Sequence, residues 1–368
     1  MTQWNISAIP YNSSGNTWFK DSYMEQWLND TSIDGFLRNL REPDKFIKTD
    51  SVWNATMTTD TTKPAKTTMI TDTVRLLNIY EYVKSGQSYL NNGLFLWTLT
   101  PYNFSNVRLV YNNGYGNSSD VAGSNGCRPA INIKSTVKII DGDGTSNNPY
   151  RLDGDNDSPT GVLLSTRYSG EYISFGTGEN NLYRIVSHEN MMGTKITSVI
   201  PLKENSSNKI ITFGNNVTYS KNNTIGIFLN GDYLTSSTYL TSNQTNMIED
   251  NTTWYLGTVG LAENYKLAKY QDTTSNNLTV TTIAKVGLLR LGEMMSGQSD
   301  RYNNNTIYWL LTRYSNSTVR DIDNDGNSSS DLINSYSIKP AMNLKPNVVI
   351  TGGDGTMNSP YTIELSSS

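Results

Sequence analysis

Apolar residues in this chain come in short clusters that alternate with Asn, Ser, Thr and Asp, and only a few stretches carry helical spacing. Tyr23, Met24, Trp27 and Leu28 fall on one face of a helix that Asp21 or Ser22 can cap. Ile33, Phe36, Leu37 and Leu40 follow at i, i+3, i+4 and i+7, with Thr31 or Ser32 as cap. A shorter helix is predicted over 78–84 and echoed over 291–295. The rest reads as short strands between polar turns. Val107 to Tyr111 alternates and runs into Asn112-Asn113-Gly114, a hairpin signal. Residues 131–140 read as a strand pair. Asp141-Gly142-Asp143-Gly144 reads as the tight turn after it, with glycine at positive φ. Helices early and strands late in each half predict the α+β class.

The clusters repeat. Val74-Arg75-Leu76-Leu77 with Glu81 returns as Val286-Gly287-Leu288-Leu289 with Glu293, and Trp97-Thr98-Leu99-Thr100 as Trp309-Leu310-Leu311-Thr312. Arg128-Pro129-Ala130-Ile131-Asn132 returns as Lys339-Pro340-Ala341-Met342-Asn343, and Gly142-Asp143-Gly144 with Tyr150 as Gly353-Asp354-Gly355 with Tyr361. Trp97 and Trp309 lie 212 residues apart, Pro129 and Pro340 lie 211 apart. One order at one spacing means tandem copies of a domain, each with its own core. Upstream, Trp27-Leu28-Asn29 lines up with Phe228-Leu229-Asn230, which brings Met1 near Ile196. Copy two has strand-like segments between Leu163 and Ile196 that copy one lacks. The expectation is a first domain over 1–153 that starts part-way through, a linker over 154–160 and a second domain over 161–368. An excised fragment, or a neighbouring domain that supplies the missing strands, accounts for that asymmetry.

Composition narrows the function classes. Only 17% of the 368 residues are charged and 36% are hydrophobic, while Tyr reaches 23. Such a surface works through hydrogen bonds and aromatic contacts. Net charge is −4 and no basic run occurs, which argues against a nucleic-acid partner. No apolar stretch approaches the roughly 18 residues of a membrane helix, so no membrane insertion is expected. One cysteine, Cys127, excludes a disulfide framework and a cysteine zinc site.

The ordered set (Leu76-Leu77 with Glu81, Trp97 to Thr100, the Val107 hairpin, Pro129 to Asn132, and the terminal Gly-Asp-Gly-Thr with Pro149-Tyr150, twice over) resembles the C-type-lectin-like domains related to the formylglycine-generating-enzyme fold in surface proteins of Gram-positive bacteria. The resemblance implies a compact α+β domain with pairing terminal strands and irregular loops that present a ligand surface. It also implies an extracellular or cell-surface location, as in an adhesin or a pilus-associated protein. Catalytic members of the wider fold oxidise through cysteines. Copy two has Ile338 where copy one has Cys127, so the resemblance implies a fold without that reaction.

Candidate chemistry concentrates at the hairpins. Tyr102, Asn103, Tyr111, Asn112, Asn113 and Tyr115 in copy one, with Tyr314 and Asn316 in copy two, combine rigid aromatic area with adaptable hydrogen bonding, as binding loops do. Asp321, Asp323 and Asp325 precede Gly326 with the spacing of the first half of a calcium loop, whose second half is missing because position 12 is Leu332. Ca2+ is thus a candidate ligand of copy two alone. His188 follows a strand-like run and lacks an evident triad, and Cys127 reads as a small buried hydrophobe. Glu81 and Glu293 stand on short helices as capping residues, and Trp97 and Trp309 as core. The reading is a non-catalytic recognition or adhesion module for a glycan or protein receptor. The alternatives are a phage or retroelement-diversified receptor-binding protein on the same fold, or stalk domains of a pilus or surface protein.

Overall fold

A computed structural model describes residues 2–3, 17–31, 36–40, 42–59, 66–84, 95–121, 124–144, 150–153, 159–188, 193–258, 280–294, 306–324, 328–331 and 334–366. The chain divides into two compact units, 1–138 with 264–268, and 139–263 with 269–368. Both are strand-rich with few short helices.

The first unit holds β1 (Thr2–Gln3), β2 (Ser51–Asn54), β3 (Met69–Asp72), β4 (Val74–Leu76), β5 (Leu96–Pro101), β6 (Asn106–Val110), β7 (Gly116–Asp120), β8 (Ser124–Asn125) and β9 (Pro129–Ile131). β1 pairs with β8, β2 with β3 and β4 with β9, while β5, β6 and β7 form a three-stranded sheet. The second unit holds β10 (Ile139–Asp141), β11 (Arg151–Leu152), β12 (Tyr172–Ser174), β13 (Leu182–Ser187), β14 (Thr194–Ser198), β15 (Lys203–Glu204), β16 (Ser207–Asn208), β17 (Ile210–Thr212), β18 (Thr252–Tyr255) and β19 (Thr281–Ala284). It continues with β20 (Val286–Gly287), β21 (Tyr308–Arg313), β22 (Val319–Ile322), β23 (Ser328–Asp331), β24 (Ser335–Ser337), β25 (Ala341–Leu344), β26 (Val348–Gly352) and β27 (Thr362–Leu365). Its larger sheets run in the orders β12-β13-β14-β25-β20 and β17-β24-β21-β22-β23.

The same local chemistry builds both units. Ser22 Oγ caps helix Tyr23–Asn29 by accepting the Glu25 N–H at 3.1 Å, and Asn223 Oδ1 caps helix Thr224–Asn230 through Gly226 N–H at 2.9 Å. The last residue of each helix clamps a strand. Asn29 Oδ1 accepts Val74 N–H at 2.8 Å and its Nδ2 donates to Val74 O at 2.9 Å. Asn230 does the same to Val286 at 3.0 and 3.1 Å. Trp53 and Trp254 donate their indole N–H to Asp72 O and Ala284 O, at 2.9 and 3.0 Å. The recurring Gly-Asp-Gly turn has its own cause. A Cβ on Gly144 or Gly355 would stand 2.6 Å from the ring of Tyr150 or Tyr361, and both glycines hold φ near 80° (81° and 79°).

Strand register fixes how the copies correspond. Thr2 pairs with Asn125 as Ile211 pairs with Tyr336. Thr2 therefore stands where Ile211 stands, later in the domain than the Ile196 expected from helix alignment. Among the described residues, the first unit holds no counterpart of β12 to β16.

Two expected elements differ. Residues 131–140 do not pair with one another: β9 pairs with β4, Ile133 bridges Ile47, and β10 pairs with β11. The Lys134–Val137 turn separates them and sends each to a distant partner. Of the helix expected over Ile33 to Leu40, residues 32–35 lie outside the described residues, and Leu37–Asn39 forms a single 3-10 turn. Gly35 and the nearby Pro43 both work against a longer helix there. The compact division also falls at 138/139, ahead of hairpin β10–β11 and of the expected linker, of which 154–158 lie outside the described residues. In the second unit the matching hairpin β26–β27 leans on β12 through the Ile173–Tyr361 bridge and on the turn at Leu163 through its bridge to Val349. Among the described residues, hairpin β10–β11 has no equivalent of either support.

A buried carboxylate shows what β14 does in the second unit. Glu293 is fully buried and accepts the ammonium of Lys195, a β14 residue, at 2.8 Å; Arg290 Nη2 lies 3.4 Å away and Arg290 N–H donates at 2.9 Å. Burial alone would push its carboxyl up, but these cations hold it at about 2. Glu81 stands at the equivalent place in the first unit, where the described residues include no counterpart of β14. Its cation is Arg75, which grips it with both nitrogens at 2.5 and 2.9 Å. The corresponding second-unit position is Gly287, where a Cβ would come within 2.8 Å of the Trp254 ring.

Removing one partner of a buried pair costs about 3–5 kcal/mol, whereas a half-exposed pair is worth about 1 kcal/mol or less. Glu293→Gln is expected to lower the stability of the second unit by about that larger amount, and Glu81→Gln to cost the first unit far less, read by denaturant unfolding of each variant. An acid held below its ordinary pKa stabilises above that ordinary value and loses the contribution as pH falls toward the folded value. The Glu293 contribution should therefore be complete above about pH 4.5 and fade toward pH 2, and this acid-limb loss should be absent from Glu293→Gln.

Candidate functional site

The expected binding residues sit on two equivalent hairpin sheets, β5–β7 and β21–β23, and the structure sorts them into frame and tip. Tyr102 and Tyr314 belong to the frame. The guanidinium of Arg108 stacks over the Tyr102 ring at 4.4 Å, and Arg320 over Tyr314 at 4.5 Å. Asn103 shapes the β5–β6 turn, its Oδ1 accepting the N–H groups of Ser105 and Asn106, both at 2.8 Å. Ser315 Oγ does this work in the second unit, accepting from Ser317 and Thr318 at 3.1 and 3.2 Å. Asn316 accepts a hydrogen bond from Arg313 at 2.9 Å. Tyr111 packs its ring edge-on to Phe95, with centroids 5.1 Å apart, and Asn113 Oδ1 accepts Tyr115 N–H at 3.1 Å.

The tips are what remain. Asn112 and Asn113 are exposed at the β6–β7 turn, and Tyr115 beside them is 64% exposed. Phe104, at the tip of the β5–β6 turn, is 69% exposed. Trp97 and Trp309 are buried, as expected of core. Glu81 and Glu293 accept the N–H of Asn78 and Arg290 at 3.0 and 2.9 Å, the capping role read from their position.

The acidic run of the second unit has a different setting from a calcium loop. Asp321 lies within β22, paired with Ser329 and Trp309, and is 2% exposed. Its first-unit equivalent is the core residue Leu109. Asp321 Oδ2 has no hydrogen-bond partner, and burial, then the charges of Asp331 and Asp323, push its carboxyl up to about 7 against the pull of Arg320. Asp331 receives a hydrogen bond from the Tyr336 hydroxyl. Asp325 lies outside the described residues, and among the described residues no three His, Cys, Asp or Glu side chains are grouped to hold a metal ion. His188 spans Arg167 O through Nε2 and Thr194 Oγ1 through Nδ1, the latter at 3.1 Å, a tie between strand and turn. Cys127 is half-buried, and burial pushes its thiol well up.

One feature lay beyond sequence reasoning. A shallow dent opens in the first unit between Asn54, Thr56, Thr58, Asn78, Ile79, Tyr80 and Thr100. The second unit has Tyr255 for Asn54 and Arg290 for Asn78, and the Arg290 guanidinium lies 5.8 Å from the Tyr255 ring. Comparing the copies for small residues opposite large ones was the signal that could have found it.

No protein-family model, curated protein or solved structure matches this chain.

An acid held above its ordinary pKa in the fold favours folding when protonated, and that contribution is lost as pH rises from the unfolded to the folded value. Stability of the second unit should thus decline between about pH 4 and pH 7 on account of Asp321. Asp321→Leu, the first unit's own residue, should flatten this decline and raise the melting temperature at pH 7.5. The check is a thermal melt of both proteins at pH 5 and pH 7.5.

Proposed function

We propose that the chain is a non-catalytic recognition module built from tandem C-type-lectin-like domains, exposed outside the cell, whose hairpin tips bind a glycan or a protein receptor. The observation that carries this reading is the split between a constant frame and changing tips. The arginine–tyrosine stacks, the turn-closing side chains and the asparagine clamps recur in both units with closely matching distances. Where the tips of the first unit stand, the aligned residues differ: Phe104 aligns with Asn316, and Tyr115 aligns in sequence with Asn327. Selection for stability alone gives no reason to hold two exposed aromatic rings in water, whereas exposed aromatics on a rigid turn suit stacking on a sugar face or filling a protein pocket. The first unit's cleft, lined by Asn, Thr and Tyr, adds hydrogen-bonding capacity of the same kind. With enclosed space of about 10 Å3, room for a single water, it is far smaller than a small-molecule site.

The test is binding of the full chain to glycan and host-protein arrays, repeated with the double variant Phe104→Ala, Tyr115→Ala. Loss of two anchor aromatics should weaken binding about tenfold or more with no change in melting temperature. A ligand held equally well by the double variant would place recognition elsewhere. A chain that binds nothing on either array would favour the stalk reading.

A further inference from the structure

The outer edge of β9 is where the two units differ most in what covers them. Lys48 N–H donates to Asn132 O at 2.9 Å and Lys134 N–H to Phe46 O at 2.8 Å. Residues 130, 132 and 134 therefore aim their backbone groups toward β4 and Ile47. Pro129, Ile131 and Ile133 aim theirs the other way, where no strand pairs among the described residues. Ile131 is 36% exposed and Ile133 43%. In the second unit β14 occupies this edge. Thr194 to Thr197 pair with Leu344 to Ala341, Ser198 N–H donates to Pro340 O at 3.0 Å, and Met342 and Leu344 are fully buried. An uncovered edge bearing large aliphatic residues is a template for strand addition.

We propose that the outer edge of β9 docks an extended strand of a partner polypeptide, added antiparallel in the register that β14 takes on β25, and that this strand carries an uncharged residue where β14 carries Lys195. The register follows from the correspondence of β4–β9 with β20–β25. The charge requirement follows from Arg75. In the second unit Lys195 is the nearer of two cations on Glu293, at 2.8 Å against 3.4 Å for Arg290, and Gly287 leaves no room for a third. In the first unit Arg75 already satisfies Glu81 through two hydrogen bonds and covers the Trp53 ring at 4.0 Å, as the Lys195 ammonium covers Trp254 at 5.2 Å. A lysine brought in by a docking strand would be buried beside a guanidinium with its carboxylate taken. The Glu81 side chain remains 38% exposed, against 0% for Glu293, so it still has surface for a neutral residue to cover. A large apolar residue at the Ile196 position would cover Ile131, as Ile196 covers Met342. Main-chain hydrogen bonds would supply affinity and these two positions specificity. The inference rests on the internal repeat, not on ligand binding at the hairpin tips, and concerns a different sheet.

The test uses the full chain and two labelled peptides with the sequence of residues 193–201, one native and one with Lys195→Gln, read by fluorescence anisotropy. The Lys195→Gln peptide is expected to bind at least about tenfold more tightly than the native one. Ile131→Pro, which removes an outward N–H while leaving the β4 side intact, should abolish binding to the first unit. Arg75→Gly, which removes the guanidinium from Glu81 as Gly287 does beside Glu293, should reverse the order of the peptides. If Arg75→Gly does not fold, the two peptides on the unaltered chain still decide. Equal affinity for both peptides, no binding of either, or undiminished binding to Ile131→Pro overturns the proposal. So does a dimer of the chain alone that Ile131→Pro dissolves, since the edge would then belong to a second copy.

Discussion

A carboxylate on a short helix that packs against a sheet draws a cation, fully buried at Glu293 and half-buried at Glu81, and the two units of this chain supply it from different directions. In the second unit the cation is Lys195, delivered by the strand that also completes the sheet. In the first it is Arg75, from the strand next to the helix itself. An ionised carboxylate cannot stay buried without such a partner. The choice of partner therefore tracks which strands surround it. Gly287 and Trp254 in one unit, Arg75 and Trp53 in the other, are the local consequences.

The remaining frame is indifferent to this choice. Asn29 and Asn230 clamp their strands in the same way, and Thr100 and Thr312 accept the N–H of Ile79 and Leu291 at 3.0 and 2.8 Å. These bonds are local to the helix, β4 or β20 and the hairpin sheet, so they form whether or not β14 is beside them. What depends on the β12–β14 region is burial. Met342, Leu344, Ile350 and Tyr361 are buried in the second unit, while Ile131, Ile133, Ile139 and Tyr150 are exposed at the matching positions.

The repeat, the core tryptophans, the capping glutamates and the hairpins were legible in the sequence because each is a short pattern with a fixed spacing. The compensation at Arg75 was not, since the cation comes from a position that aligns with glycine, and only the fold brings Lys195 to Glu293. Asp321 looked like a calcium ligand because acidic spacing alone does not reveal that the residue stands in a strand where its twin is Leu109. Tyr102, Tyr314 and Asn103 read as candidate binding residues, and their framework contacts are visible only in the fold, because Tyr and Asn serve equally in recognition and in turn architecture. Phe104, the most exposed aromatic of the hairpins, was seen in the sequence but not singled out.

Two equivalent strands, β9 and β25, differ among the described residues in having an open and a covered outer edge. Amide hydrogen exchange of the full chain, followed residue by residue, tests this difference most directly. Ile131 and Ile133 should exchange at least about a hundredfold faster than Met342 and Leu344, because only the latter pair hold hydrogen bonds to a covering strand. Equal protection at the two pairs of amides would show that the first unit's edge is already covered and would contradict the account.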